Sequence, residues 1–137
     1  MPWEHFQHMA DIGIRGIGET PEEAFAQAAL ALTAVITDPA KVEPRQAVPI
    51  EREAPDREFL FLDWINALIY EMATRHMLFS RFEVTLDGNR LEARAWGEPV
   101  DRSRHDPAVE VKGATLTELK VCRREDGQWL AQCVVDV

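Results

Sequence analysis

The stretch Leu130 to Val137 reads LAQCVVDV. With Trp129 before it, the stretch alternates. Trp129, Ala131, Cys133, Val135 and Val137 fall on one side, and Leu130, Gln132, Val134 and Asp136 on the other. A period of two is the signature of a strand, and apolar residues on both sides put that strand well inside a sheet. Termini usually fray, so final residues that form an inner strand predict a chain end held in place. The α-carboxylate of Val137 then lies close to the carboxylate of Asp136. Two anions fixed side by side repel each other unless a cation or a cationic side chain joins them. Which of the two it is becomes the question for the rest of the chain.

A length of 137 residues suits one domain, 1–137. It is enough to bury roughly two thirds of the surface that the unfolded chain exposes. Apolar residues at 46% and charged residues at 28% are ordinary for a soluble globular protein. No apolar run approaches the ~20 residues of a membrane span. The opening MPWEHFQHMAD has neither a basic region nor an apolar core, so it does not read as a signal peptide. A cytoplasmic protein with no membrane partner is expected. The net charge of −9 argues against a direct, stable grip on a nucleic-acid backbone. It fits a basic protein surface or a cation better. The arginine pairs in CRRED and VDRSRH are mixed with acids and read as solvated loops. Cys122 and Cys133 flank the turn EDGQ and could face each other across a hairpin. Without a secretion signal they are expected to be reduced thiols.

The remaining elements follow from local signals. EHFQH and DIGIRGIG read as strands. In TPEEAFAQAALALTAVITDP, Thr20 is a candidate N-cap, Pro21 takes the first helical position and Glu23 completes a capping box. Phe25, Ala28, Leu32 and Val35 make its buried face, and Asp38-Pro39 ends it. VEPRQAVPIEREAPD reads as a loop with one edge strand around Val48 to Arg52. PDREFLFLDWINALIYEMATRH is a helix with acids at its positive end. Its stripe is Phe59, Leu62, Ile65, Ile69 and Met72, with Phe61, Trp64 and Leu68 beside it, so cover on more than one side is expected. RFEVTL and LEARAWGEPV form a hairpin about the turn DGNR. VEVKGATLTELKVCRRE and the closing stretch supply two more strands. The order β-β-α-β-α-β-β-β-β predicts an α+β fold: a single two-layer domain with two helices packed on a largely antiparallel sheet.

Several residues could carry chemistry. Asp11, at a strand start, reads first as a turn or cap residue and only second as a ligand. His5 and His8 are three apart, which on a strand sends them to opposite faces and argues against a paired metal site. Glu98, Asp101, His105 and Asp106 could form an acid/base loop or a solvated connection. Lys112 interrupts an apolar strand, either at an edge or aimed at an anion, and Gly113 after it suggests a bulge or a close backbone approach. Ser80 and Ser103 have no nucleophile elbow around them. There is no phosphate loop and no paired CxxC, so no catalytic residue is assigned.

HMADIG, the capped helix ending in TD, FLDWINALIYE, GEPVD followed by a histidine, VKGATLTEL and the terminal VVDV resemble, in this order, the archease family. The resemblance covers essentially the whole chain. Two departures stand out: Met9 where the family usually has threonine, and Leu116-Thr117 where it often has an aromatic residue and a histidine.

The resemblance implies a protein cofactor rather than an enzyme. Archeases activate the RNA-splicing ligase that joins 3′-phosphate or cyclic phosphate ends to 5′-hydroxyl ends in tRNA splicing and RNA repair. They promote the ligase's guanylylation and its multiple turnover. The family binds a divalent cation, calcium, and the ligands carried over are Asp11, Asp136 and the terminal carboxylate of Val137. Oxygen-only ligation suits such a hard cation. Asp38 and Lys112 are the candidates for ligase contact. The alternatives are a chaperone or modulator of a tRNA methyltransferase, and a small metal-dependent hydrolase that would use the same carboxylates to activate water.

Overall fold

The computed structural model describes residues 2–137. Strand β8 (Trp129–Asp136) is an inner strand, as its alternation predicts. It runs antiparallel to β2 (Asp11–Gly18) on one side and to β6 (Gly113–Ala114) and β7 (Lys120–Arg123) on the other. Ala131 through Val135 are all buried. β1 (Trp3–His8) covers the far side of β2. A second sheet has the order β3 (Gln46–Glu53), β5 (Arg90–Pro99), β4 (Met77–Asp87). β3 is the edge strand expected of a segment that contains Pro49.

The α+β class and the antiparallel pairing are as expected, but the strands divide between two sheets and the helices have a sheet on either side. The reason is the breadth of the helices' apolar surfaces. Helix α1 (Pro21–Ile36) packs on β1, β2 and β8 and also on β4. Thr33, buried on α1, donates to the Phe79 carbonyl of β4 at 2.7 Å. Helix α2 (Arg57–Arg75) touches β3, β4 and β5 of one sheet and β6 and β7 of the other. Its Trp64 indole donates to the Phe25 carbonyl of α1 at 3.0 Å and meets the Phe82 ring of β4 edge-on. The buried surface of α2 keeps Ile65 and Ile69 of the expected stripe and the flanking Phe61, Trp64 and Leu68, while Leu62 and Met72 are only partly covered. Phe59, at its first turn, is 43% exposed.

The caps form locally. The Thr20 hydroxyl oxygen accepts from the Glu23 amide at 3.1 Å, and the Glu23 carboxylate accepts from the Glu19 amide at 2.8 Å. The capping box therefore reaches back one residue further than its usual form. Between α1 and β2 the backbones nearly touch. A Cβ on Gly16 would lie 2.0 Å from the Ala24 carbonyl oxygen and 2.3 Å from the Ala28 nitrogen. Only glycine allows this approach.

One expected strand is two. Between β6 and β7 the edge strand advances six residues, from Ala114 to Lys120, while β8 advances three, from Val135 to Gln132. The surplus forms a bulge containing Leu116, with Glu118 at φ +55°. A further short helix, α3 (Arg102–His105), occupies the loop after β5. The cysteines do not face each other. Cys122 pairs with Leu130, and Cys133 lies three positions along β8 on the opposite face, opposite Ile14. Burial pushes the Cys133 thiol up to about 12, so it is a packing group rather than a nucleophile.

Candidate functional site

The last register pair of β2 and β8 is Ile12 with Val135, and one step further sets Asp11 opposite Asp136. On the other side of β8, Gly113 pairs with Asp136, and the Lys112 amide donates to the Asp136 carbonyl at 2.8 Å. The same step places Lys112 opposite Val137. Asp11, Asp136, Val137 and Lys112, drawn from three distant parts of the sequence, thus meet at one end of one sheet. Asp11 also follows directly on the two-residue turn Met9-Ala10, which is closed by His8 pairing with Asp11.

Like charges directly opposite on neighbouring strands destabilise the pair. The ion pairs of this sheet and of the loop after β5 form elsewhere, at Arg15–Glu4 and Arg104–Glu98, and neither Asp11 nor Asp136 enters one among the described residues. No three His, Cys, Asp or Glu side chains among those residues converge as a metal site. The donors at this end are oxygens, which fits a hard divalent cation. Asp11 also lines a shallow depression of about 350 Å³, together with Met9 and Phe6. A larger depression, about 550 Å³, lies elsewhere, between the end of α2 and residues 100–111. It is mostly apolar and includes none of the candidate carboxylates, so it is not the chemical centre.

Asp38 is set apart by its role. It is exposed, and its carboxylate accepts from the Ala40 amide at 3.0 Å, capping the short turn Pro39–Lys41. His5 and His8 point to opposite faces as expected, His5 bonding to the Ala31 carbonyl of α1 at 2.8 Å. One contributor had no assigned role in the sequence reading. The Asn66 side chain of α2 accepts from the Ala114 amide of β6 at 2.9 Å, tying down a strand only two residues long. Its signal was a lone amide within the apolar run FLFLDWINALIY.

The loop after β5 is exposed along most of its length, as a solvated connection would be, but Glu98, Arg104 and His105 bond one another rather than forming an open acid/base site. Glu98 is buried, and both its oxygens accept from the Arg104 guanidinium, at 2.7 and 2.8 Å. It also accepts from the Glu43 amide at 2.8 Å. The His105 Nδ1 accepts from the Asp101 amide at 2.9 Å, which leaves the ring proton on Nε2 to donate to Glu98 at 2.9 Å. Asp101 caps α3, and the Thr37 hydroxyl bonds the His105 carbonyl. The Arg104 hydrogen bonds, outweighing burial, lower the Glu98 carboxyl from 4.5 to about 2. A depressed carboxyl contributes stability that is present above its ordinary value and lost as pH falls through the folded one. Glu98→Gln is therefore expected to cost about 1–3 kcal/mol at neutral pH. The gap from wild type should shrink between about 4.5 and 2, where wild-type Glu98 becomes neutral as well. Urea denaturation across that range checks this, and a gap that stays constant would assign the loss to packing rather than charge.

The family model described as the Archease protein family matches residues 3–137. The chain belongs to the archease family. It is 42% identical over 139 residues to the protein archease of Pyrococcus furiosus, with 98% of each chain covered. It is 42% identical over 141 residues to that of Methanopyrus kandleri, with both covered in full. The solution structure of Methanobacterium thermoautotrophicum protein 1598 superposes with a TM-score of 0.86 at 33% identity, covering 99% of both chains. The crystal structure of an archease from Thermotoga maritima, described as a possible chaperone, shares the fold at a TM-score of 0.63 and 20% identity. No helix of this family member, among the described residues, is long and apolar enough to cross a membrane.

Proposed function

We propose that this chain is a non-catalytic activator of an RNA-splicing ligase, promoting that enzyme's guanylylation and multiple turnover with a divalent cation, calcium, at the end of its first sheet. The observation that carries the reading is the register placing Asp11 opposite Asp136 in a chain that matches the archease family along its length. Asp11, Asp136 and the α-carboxylate of Val137 would hold the ion, with water filling its remaining positions. When bound, the ion supplies the positive charge that lets three anionic groups share one end of the sheet.

The chain's own residues do the holding. β8 is paired on both sides, with β2 as far as Val135 and with β6 as far as Asp136. Lys112 is exposed beside Val137 and can meet an anionic group of the partner, as Asp38 can meet a cationic one. The charge of −9 suits contact with a basic enzyme and leaves the RNA to that enzyme.

The test is a ligation assay on RNA with 3′-phosphate and 5′-hydroxyl ends. Substoichiometric amounts of this chain are expected to raise the number of turnovers per ligase, while the chain alone joins and cleaves nothing. Joining or cleavage without ligase, or a turnover number unchanged by the chain, would overturn the reading.

A further inference from the structure

The two most exposed large apolar side chains of the described residues are Met9, 88% exposed, and Leu116, 62%. Tyr70 is nearly as exposed, at 61%, but it carries a hydroxyl that water satisfies. Met9 and Leu116 have only apolar surface to offer, and both stand beside the carboxylate end. Met9 is two residues before Asp11. Leu116 lies in the bulge level with Val134, whose carbonyl and amide bond the Thr115 amide and the Thr117 carbonyl, and so about two residues from Asp136.

Both are displayed at a cost. Met9 has φ +52°, in a hairpin turn of the kind that usually gives this position to glycine. Leu116 sits in a bulge that also requires Glu118 at φ +55°. Each exposes apolar surface to water from a backbone the fold would relax if nothing required it. Strain of this sort is kept where a binding function uses it.

We infer that Met9 and Leu116 are apolar anchors that seat the carboxylate end of the sheet on a partner protein with apolar sockets in a positively charged surface. The inference rests on the proposed function and identifies that partner surface with the ligase. Charge complementarity chooses the occupant. The chain carries a net charge of −9, and exposed Glu118 stands in the bulge beside Leu116, so an anionic lipid surface is repelled and a second copy would present the same charge in return. An arrangement of apolar anchors within a polar rim is the usual anatomy of a protein interface.

The experiment compares the wild type with Met9→Gly/Leu116→Ser in melting, calcium titration and ligase activation. Because glycine relieves the positive φ and serine removes exposed apolar surface, the variant is expected to melt at the same temperature or higher and to keep its calcium affinity. The concentration giving half-maximal activation should rise at least tenfold, with the turnover at saturation retained. An unchanged half-maximal concentration overturns the inference while leaving the proposed function standing. If the wild type itself does not activate the ligase, the proposed function fails and this assignment of the partner falls with it. A wild-type dimer in light scattering that the variant abolishes would reassign the anchors to self-association and overturn the ligase as occupant.

Discussion

Gly16→Val is expected to destabilise the chain by about 3 kcal/mol or more, a large share of the 5–15 kcal/mol that holds a domain of this kind together. Inserting methylenes into a packed interior ordinarily costs about 1–3 kcal/mol, because side chains can shift rotamer to admit them. Here no side chain can give way. The atoms a Cβ would meet, the Ala24 carbonyl oxygen and the Ala28 nitrogen and Cα at 2.9 Å, all belong to the backbone of α1. The whole helix would have to lift from β2, and Phe25 and Leu32, both fully buried on that helix, would lose their packing. Gly113→Ala is the control. Its Cβ would meet only the Asn66 side chain, at an ordinary 3.6 Å, and its backbone has no positive φ. Chemical denaturation compares the two. A midpoint for Gly16→Val close to that of Gly113→Ala would show that the two layers can part at little cost.

The second large effect is a reversal. Without calcium, Asp11→Ala removes one of two like charges set opposite each other, so the variant should equal or slightly exceed the wild type in stability. With calcium in excess the order inverts, because an ion that binds only the folded state stabilises it, by about 2.7 kcal/mol at a hundred times its dissociation constant. The variant should gain almost none of this. A tag appended after Val137 turns its carboxylate into an amide whose carbonyl can still coordinate, so it should fall between the two. The same tag at Met1 should have no effect. Melting in chelator and in calcium, with calorimetric titration of each form, checks the reversal. If calcium stabilises Asp11→Ala as much as the wild type, Asp11 is a turn residue and no ligand.

The parts of the fold that the sequence disclosed were those governed by neighbours. Thr20, Pro21 and Glu23 sit within one helical turn, so the cap of α1 follows from their order. The alternation through β8 likewise shows a strand buried on both faces. The bulge at Leu116 is signalled only by Gly113 before it: ATLTELK itself contains neither glycine nor proline, and the mismatch against β8 is what shows where the surplus residues lie. The division into two sheets depends on α1 and α2 finding strands on both flanks, which no window of sequence contains. Spacing puts Phe59 in the apolar stripe, yet it is exposed in the first turn of α2 while its neighbours Leu60 and Phe61 are buried. The facing of Asp11 and Asp136 depends on register between strands at opposite ends of the chain. Periodicity gave each residue its strand, and the family resemblance alone joined them.

The central position of β8 also imposes an order of assembly. The pairs that close the second sheet are local: β4 and β5 meet through the turn at Gly88, and β3 precedes them by a single helix. β2, by contrast, finds its partner more than about a hundred residues further along. As the chain is synthesised, β1, β2 and α1 emerge first and must wait with one edge of β2 unpaired until the last strand arrives. Contacts of such long sequence separation close slowly. The newly made protein therefore carries an open, glycine-rich strand edge for most of its synthesis, and the strand that seals it, through Trp129 to Val135, is the last of the fold.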